Sequence, residues 1–244
     1  MKILTHNAYW FQGYPSRWKV QRVADVPAVV AALTRLYASA NADVICLQEV
    51  HLSRLAESLA NQLGMRTWFH APGGLRPDYG GVVMSRRPVH VQDHTRTGNQ
   101  PPHERVHFRV SLDWNGRRIE LAAIHLPSDA FTGSPEAGDA ARIAELKRIL
   151  STPPRPDIVA GDTNSRVGTG PYRFMLDAGY VDSAGPAEGD AARARGMDCI
   201  WLDQALAGCL RSFRILNSGR FVQTTPEGET WKLSDHSPLL VELQ

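Results

Sequence analysis

The chain has 244 residues, 43% hydrophobic and 21% charged, a balance that can bury a large core. Its net charge of +2, from 27 Lys and Arg against 25 Asp and Glu, excludes a dedicated nucleic-acid coat and leaves room for a local basic patch only. Three cysteines, Cys46, Cys199 and Cys209, exclude a framework of paired disulfides.

The first residues run at once into a strand over 2–8, with no charged n-region or apolar h-region. No stretch is long enough to cross a bilayer, so the expectation is a soluble cytoplasmic protein. An aromatic loop, Tyr9-Trp10-Phe11-Gln12-Gly13-Tyr14-Pro15, follows. Val23, Val26, Val29, Val30, Leu33, Leu36 and Tyr37 then recur at helical spacing, predicting a helix over 18–40 with Pro27 in a first turn or at a bend. The next strand, over 43–48, ends at Glu49, and a helix over 52–63 is stopped by Gly64.

Short strands are predicted over 66–70, 80–85, 89–93, 106–112 and 117–124, an antiparallel block whose last two members are joined by the hairpin pair Asn115-Gly116. A Gly- and Pro-containing loop over 127–138 leads to a helix through Ala141, Ile143, Leu146, Ile149 and Leu150. The break Pro153-Pro154-Arg155-Pro156 feeds a strand over 157–160. Gly170-Pro171 opens a short helix carrying Phe174, Met175 and Leu176. Residues 183–196 lack apolar periodicity and read as a mobile loop beside the site or, more commonly for such a segment, a disordered surface excursion. Strands over 197–202, 210–216 and 239–243 complete the pattern. With no repeat or linker, the expectation is one α/β domain over 1–244, two mixed sheets packed face to face with helices outside.

Several of these strands meet a carboxylate, carboxamide or imidazole at one end: His6-Asn7, Gln48-Glu49, His125, Gly161-Asp162-Thr163-Asn164 and Asp235-His236. Glu49, Asp162, Asp235, Asn7 and Asn164 offer hard oxygen donors, which suit Mg²⁺ or Mn²⁺ better than zinc. Three carboxylates on one rim also repel one another, and a divalent ion would relieve that. His125 and His236 could donate to a phosphate while an aspartate polarises a water for in-line attack. The chemistry indicated is phosphoester hydrolysis without a covalent intermediate. Taken singly, Asn7 could instead cap a turn and Asn164 could form an Asx turn. Asp198, in an apolar strand, needs a partner, and His236 is the candidate. His6, His51, His70, His90, His94, His103 and His107 read as structural or surface residues.

In order along the chain, Asn7, Gln48-Glu49, Gly81-Val82-Val83-Met84-Ser85-Arg86, His125-Leu126, Gly161-Asp162-Thr163-Asn164, Met197-Asp198-Cys199-Ile200 and Ser234-Asp235-His236-Ser237-Pro238 resemble the endonuclease/exonuclease/phosphatase superfamily. It includes DNase I, exonuclease III-like nucleases, neutral sphingomyelinases, inositol polyphosphate 5-phosphatases and the 5′-tyrosyl-DNA phosphodiesterase. The resemblance implies a four-layer α/β sandwich and a Mg²⁺-dependent phosphoesterase, with Mn²⁺ as the alternative ion. It further implies Glu49 as the principal metal carboxylate, with Asn7 beside it and Asp235 as a second metal-side carboxylate. Asp162 would orient or deprotonate the water, and Asn164 would hold phosphate or nucleophile. His236 would be the acid/base imidazole, Asp198 its partner, and His125 the transition-state-stabilising histidine.

Specificity falls to the loops, where Trp10, Phe11 and Tyr14, then Phe131, Arg105, Arg166 and Trp231, are the candidates for substrate contact. Aromatic faces interleaved with Arg suit stacking on bases. The favoured expectation is a monomeric phosphodiesterase acting on nucleic acid. A sphingomyelinase-like or small-molecule diesterase, an inositol-type phosphomonoesterase and a catalytically silent binding module are the alternatives.

Overall fold

The computed structural model describes residues 1–14, 25–98, 103–217, 219, 221–224, 228 and 230–244. Its strands are β1 Lys2–Asn7, β2 Val44–Gln48, β3 Thr67–Ala71, β4 Gly81–Ser85, β5 Val89–His94, β6 His107–Trp114 and β7 Arg117–His125. They continue with β8 Ile158–Asp162, β9 Val181–Asp182, β10 Asp198–Leu202, β11 Leu210–Ile215, β12 Val222–Thr224, β13 Thr230–Lys232 and β14 Leu239–Leu243. The α-helices are α1 Pro27–Ala40, α2 Ser53–Gln62, α3 Asp129–Thr132, α4 Pro135–Ser151, α5 Gly170–Asp177, α6 Asp190–Ala194 and α7 Gln204–Ala207.

Two six-stranded sheets form, in the orders β11-β14-β1-β2-β4-β3 and β5-β6-β7-β8-β10-β9. Both are mixed: β1 runs parallel to β2, and β7 to β8, while their other pairings are antiparallel. The central strands are apolar almost throughout because both faces are covered. In β1, Ile3 points into the cluster between the sheets with Val44, Phe108, Leu121 and Ile158. Leu4 points outward, onto Leu33 and Tyr37 of α1 and Leu59 of α2. On the far side Ala122, Val159 and Trp201 pack beneath Leu146 and Ile149 of α4 and Tyr172 and Met175 of α5. The result is the four-layer α/β sandwich that the family resemblance implies.

The β6–β7 hairpin turns on Asn115 (φ 51°) and Gly116 (φ 75°), the two left-handed positions of a type I′ turn. Other expectations need correction. Within the described residues the first long helix begins only at Pro27; the expected 18–24 portion lies outside them. The antiparallel block is divided, β3 and β4 joining one sheet and β5 to β7 the other. The loop expected over 127–138 already contains α3 and the start of α4, with Ser134 capping α4 by accepting from the Ala137 amide at 3.2 Å.

The span 183–196 is not a surface excursion. It carries α6, and its Arg195 is buried against Asp182 at 3.0 Å. The missing apolar periodicity reflects an anchor made by one ion pair and Ala192 instead of an apolar stripe. The short β12–β13 ribbon was not expected; three-residue strands leave little periodic signal.

A candidate active site at the rim of both sheets

Strand direction places the rim. Asn7 ends β1, Gln48 ends the parallel β2 beside it, and Glu49 follows. His125 ends β7 level with Asp162 at the end of β8, and Asp198 starts the antiparallel β10 level with Asp162. His236 lies just ahead of β14, antiparallel to β1. Residues from both sheets thus converge on one edge. Gly161 permits the close approach of β8 to β7, since a Cβ there would overlap the Ile124 carbonyl.

Asp162 is the hub. Its Oδ2 lies 3.0 Å from Asn7 Nδ2, 3.1 Å from His125 Nε2 and 3.7 Å from His236 Nε2. The second Asp162 oxygen accepts from the Asn164 amide at 2.9 Å, closing a turn in which Asn164 has φ 47°. Asn164 Nδ2 donates to the Leu126 carbonyl at 2.9 Å. Asn7 Nδ2 also reaches Glu49 Oε1 at 3.2 Å, and its Oδ1 accepts from the Tyr9 amide. His236 Nδ1 meets Asp198 Oδ2 at 2.7 Å. Ser234 ties the final loop down, donating to the Asn7 carbonyl at 2.7 Å and accepting from the His236 amide at 3.1 Å.

Glu49 is held with φ 56°, a left-handed conformation that costs a non-glycine residue roughly 1–2 kcal/mol. It is 5% exposed, and its Oε2 is buried without a hydrogen-bond partner among the described residues. Burial pushes the Glu49 carboxyl up to about 8 against the pull of Arg105, 3.9 Å away, with Asp235 adding to the rise. Burial likewise lifts Asp198, to about 6, although His236 draws it back. Burial opposes a charge on His236, yet Asp198 and Asp162 outweigh it and raise the imidazole well above 6.5. Asp162 shows the reverse balance: burial would raise it, but His236 and His125 hold it below the usual carboxylate range. His125 is lowered to about 4 by burial and then by Arg105, whose Nη1 contacts its Nε2.

The orphaned Glu49 oxygen, in a set of hard oxygen donors, fits a divalent cation, because a buried carboxylate oxygen without a partner is costly. Asp162, Asp198 and His236 also offer ligand atoms within 4.8 Å of one another. In that trio both ring nitrogens of His236 face carboxylates, which favours the protonated ring and removes the lone pair a metal needs. Glu49 is the better anchor for an ion. Asp235, the other expected metal-side carboxylate, is exposed, with Ser234 Oγ 3.3 Å from its Oδ1.

The expected substrate residues separate. Arg105 is 4% exposed at the rim, donating to Ser128 Oγ at 2.8 Å, and Phe131 on α3 is 39% exposed. Trp10 is buried behind Tyr79, its Nε1 donating to the Asp78 carbonyl at 2.8 Å and its ring 4.9 Å from that of Tyr79. Phe11 is in the core under α1, and Tyr14 bridges Lys232. Trp231, on β13, packs on the same core and against Gly13. Arg166 is exposed in the loop after Asn164. His6 is fully buried between Tyr37 and the His236 carbonyl, and His103 stacks on His107 beside Glu145. Tyr79, which lies between His125 and Phe131, was not expected at the site, and Ser234 was expected only as part of the closing motif. Tyr79 is flanked by Pro77-Asp78 and Gly80-Gly81, and an aromatic residue set between turn formers beside a rim strand was the available signal.

Two mixed sheets gather carboxylates and imidazoles at one rim. The chain belongs to the Endonuclease/Exonuclease/phosphatase family, whose model matches residues 4–238. No curated protein sequence matches it. Solved structures share the fold at low identity. A family protein from Bacteroides thetaiotaomicron superposes with TM-score 0.69 at 13% identity, over 100% of this chain and 97% of the other. Humanized TDP2 of D. rerio gives 0.66 at 17%, over 99% and 97%. The 3′ phosphatase NExo from Neisseria, bound to a product DNA hairpin, gives 0.62 at 18%, over 100% and 99%. Among the described residues no helix is long and apolar enough to cross a membrane.

Proposed function

We propose that the chain is a divalent-metal-dependent phosphodiesterase that cleaves by in-line attack of water and works as one catalytic unit, with nucleic acid as its substrate class. The observation that carries this reading is the convergence of Asn7, His125 and His236, from three parts of the chain, on Asp162 Oδ2, beside a Glu49 oxygen with no partner among the described residues. Glu49 and Asn7, with Asp235 nearby, would hold Mg²⁺ or Mn²⁺. Such an ion supplies Lewis-acid polarisation of a phosphoryl oxygen when bound.

Asp162, kept anionic by its neighbours, is a poor proton sink and a good acceptor, so it orients the attacking water. His236, charged through Asp198 and Asp162, delivers its Nε2 proton to the departing alkoxide, and the neutral ring then takes up the proton that the attacking water gives up. His125 and Asn164 complete the cradle for the non-bridging oxygens. Asn164 does so from a turn fixed by its bond to Leu126. That a fold neighbour is described with a DNA product favours nucleic acid over a lipid headgroup.

The test is hydrolysis of bis(p-nitrophenyl) phosphate beside p-nitrophenyl phosphate, with Mg²⁺, Mn²⁺ or chelator, for the wild type and His236→Ala. Metal-dependent diester cleavage, lost in the variant, is the expected result. A preference for the monoester would replace this reading with a phosphatase, and cleavage unaffected by chelator would remove the metal from it.

A further inference from the structure

Between the catalytic rim and the surface lies a continuous stack of rings and guanidiniums. Tyr79 stands edge-on to His125, with ring centroids 6.1 Å apart, and edge-on to Phe131 at 5.8 Å. The Arg105 guanidinium lies 4.3 Å over Tyr79, and that of Arg76 lies 3.5 Å over Phe131. The outermost ring, Phe131, is 39% exposed, one of few large apolar side chains in that state.

This ledge is built, not incidental. The loop that carries Arg76 and Tyr79 is pinned to the segment ahead of β6: the amides of Gly74, Leu75 and Arg76 donate to the carbonyls of Arg105, His103 and Glu104. Arg76 is further held by Glu104, Nε to Oε1 3.7 Å. Trp10 braces Tyr79 from behind. An exposed phenyl ring fixed in this way is a stacking platform whose ordering cost is already met by the fold.

We infer that Phe131, with Arg76 and Tyr79, forms a subsite for a planar aromatic group on one arm of the phosphodiester, of which a nucleobase is the biological form. This rests on the diesterase reading of the rim and extends it to substrate choice. Two guanidiniums beside the ring decide against an acyl chain, which would strip their water and return no hydrogen bonds. A base offers a π face to the open side of Phe131, whose other face the Arg76 guanidinium already covers. The ring sits two aromatic contacts from His125, so a group stacked there belongs to a substrate whose phosphate lies at the rim.

Two p-nitrophenyl esters that release the same chromophore and differ in their retained arm test the idea: thymidine 5′-(p-nitrophenyl phosphate) and methyl p-nitrophenyl phosphate. The wild type should favour the thymidine ester in kcat/KM by on the order of tenfold. Phe131→Leu should bring the ratio toward one, and Phe131→Trp should keep it. Calorimetric binding of thymidine 5′-monophosphate against ribose 5-phosphate gives a readout independent of turnover, with the same preference and the same loss in Phe131→Leu. Cleavage of both esters with no ring preference, or a preference that survives in Phe131→Leu, would overturn the subsite and leave the diesterase standing. Cleavage of neither ester would count against the diesterase, and the binding comparison would still decide the ledge.

Discussion

The hydroxyl of Ser234 donates to the main-chain carbonyl of Asn7 across 2.7 Å, joining two residues 227 positions apart. The same oxygen accepts from the His236 amide, so one buried side chain sets the loop bearing the imidazole against the strand bearing the carboxamide. Ser234→Ala leaves the Asn7 carbonyl and His236 amide without these partners. The variant should lose about 1–3 kcal/mol of stability in urea unfolding. Turnover should fall more than that loss explains, because His236 is no longer held in register with Asp162. Unchanged turnover would show that the loop is placed by other contacts.

Glu49 gives a prediction that does not depend on activity. The site buries a carboxylate with an unpartnered oxygen, which costs stability until a cation is bound. Wild-type thermal stability should therefore rise with Mg²⁺, as for any ligand that binds only the native state. Glu49→Gln should melt no lower than the wild type in chelator and respond little to Mg²⁺, with hydrolysis reduced in parallel. A variant that retained the full Mg²⁺ shift would move the ion to other residues.

Much of the architecture was legible before folding was considered. The doubly buried strands announced themselves as apolar runs, the Asn115-Gly116 turn as a hairpin, and the rim as polar residues at strand ends. What escaped was local or bought by single interactions. Arg195 looks like a surface cation in an Ala- and Gly-rich stretch until Asp182, thirteen residues earlier, is found facing it. Trp10 reads as a loop aromatic free to meet a ligand, whereas its indole is committed to Asp78 and Tyr79. Neither fact leaves a periodic trace, because each depends on where a distant backbone passes.

The Arg195 pair should be worth more than its place outside the rim suggests. Its guanidinium also donates to the carbonyl of Asp198, so the pair holds the start of β10 where Asp198 faces His236. Arg195→Met leaves Asp182 buried and uncompensated, an expected loss of about 3–5 kcal/mol. Adding Asp182→Asn should recover part of the stability measured by urea titration. A single variant as stable as the wild type would mean that Asp182 finds water or another donor.

His6 makes stability depend on pH in a definite sense. Burial pushes its imidazole down to about 3, while in the unfolded chain it titrates near the ordinary 6.5. Between these values the unfolded chain binds the additional proton. The contribution is therefore full above about 6.5 and is lost as pH falls toward 3, by at most ~1.4 kcal/mol per pH unit. His6→Gln should flatten the stability profile in that window when both proteins are unfolded in urea at each pH. Superimposable slopes would show that His6 is protonated in the folded protein without cost.

The placement of β14 between β1 and β11 bears on how the molecule is made. A ribosome releases Asn7 and Glu49 well before the strand that pairs with β1, and the imidazole just ahead of it, emerge with residues 236–243. Until then β1 has an open edge and the rim lacks the His236 imidazole. Hydrolytic activity should therefore appear in one step, when residues 236–243 have emerged and that strand pairs with β1.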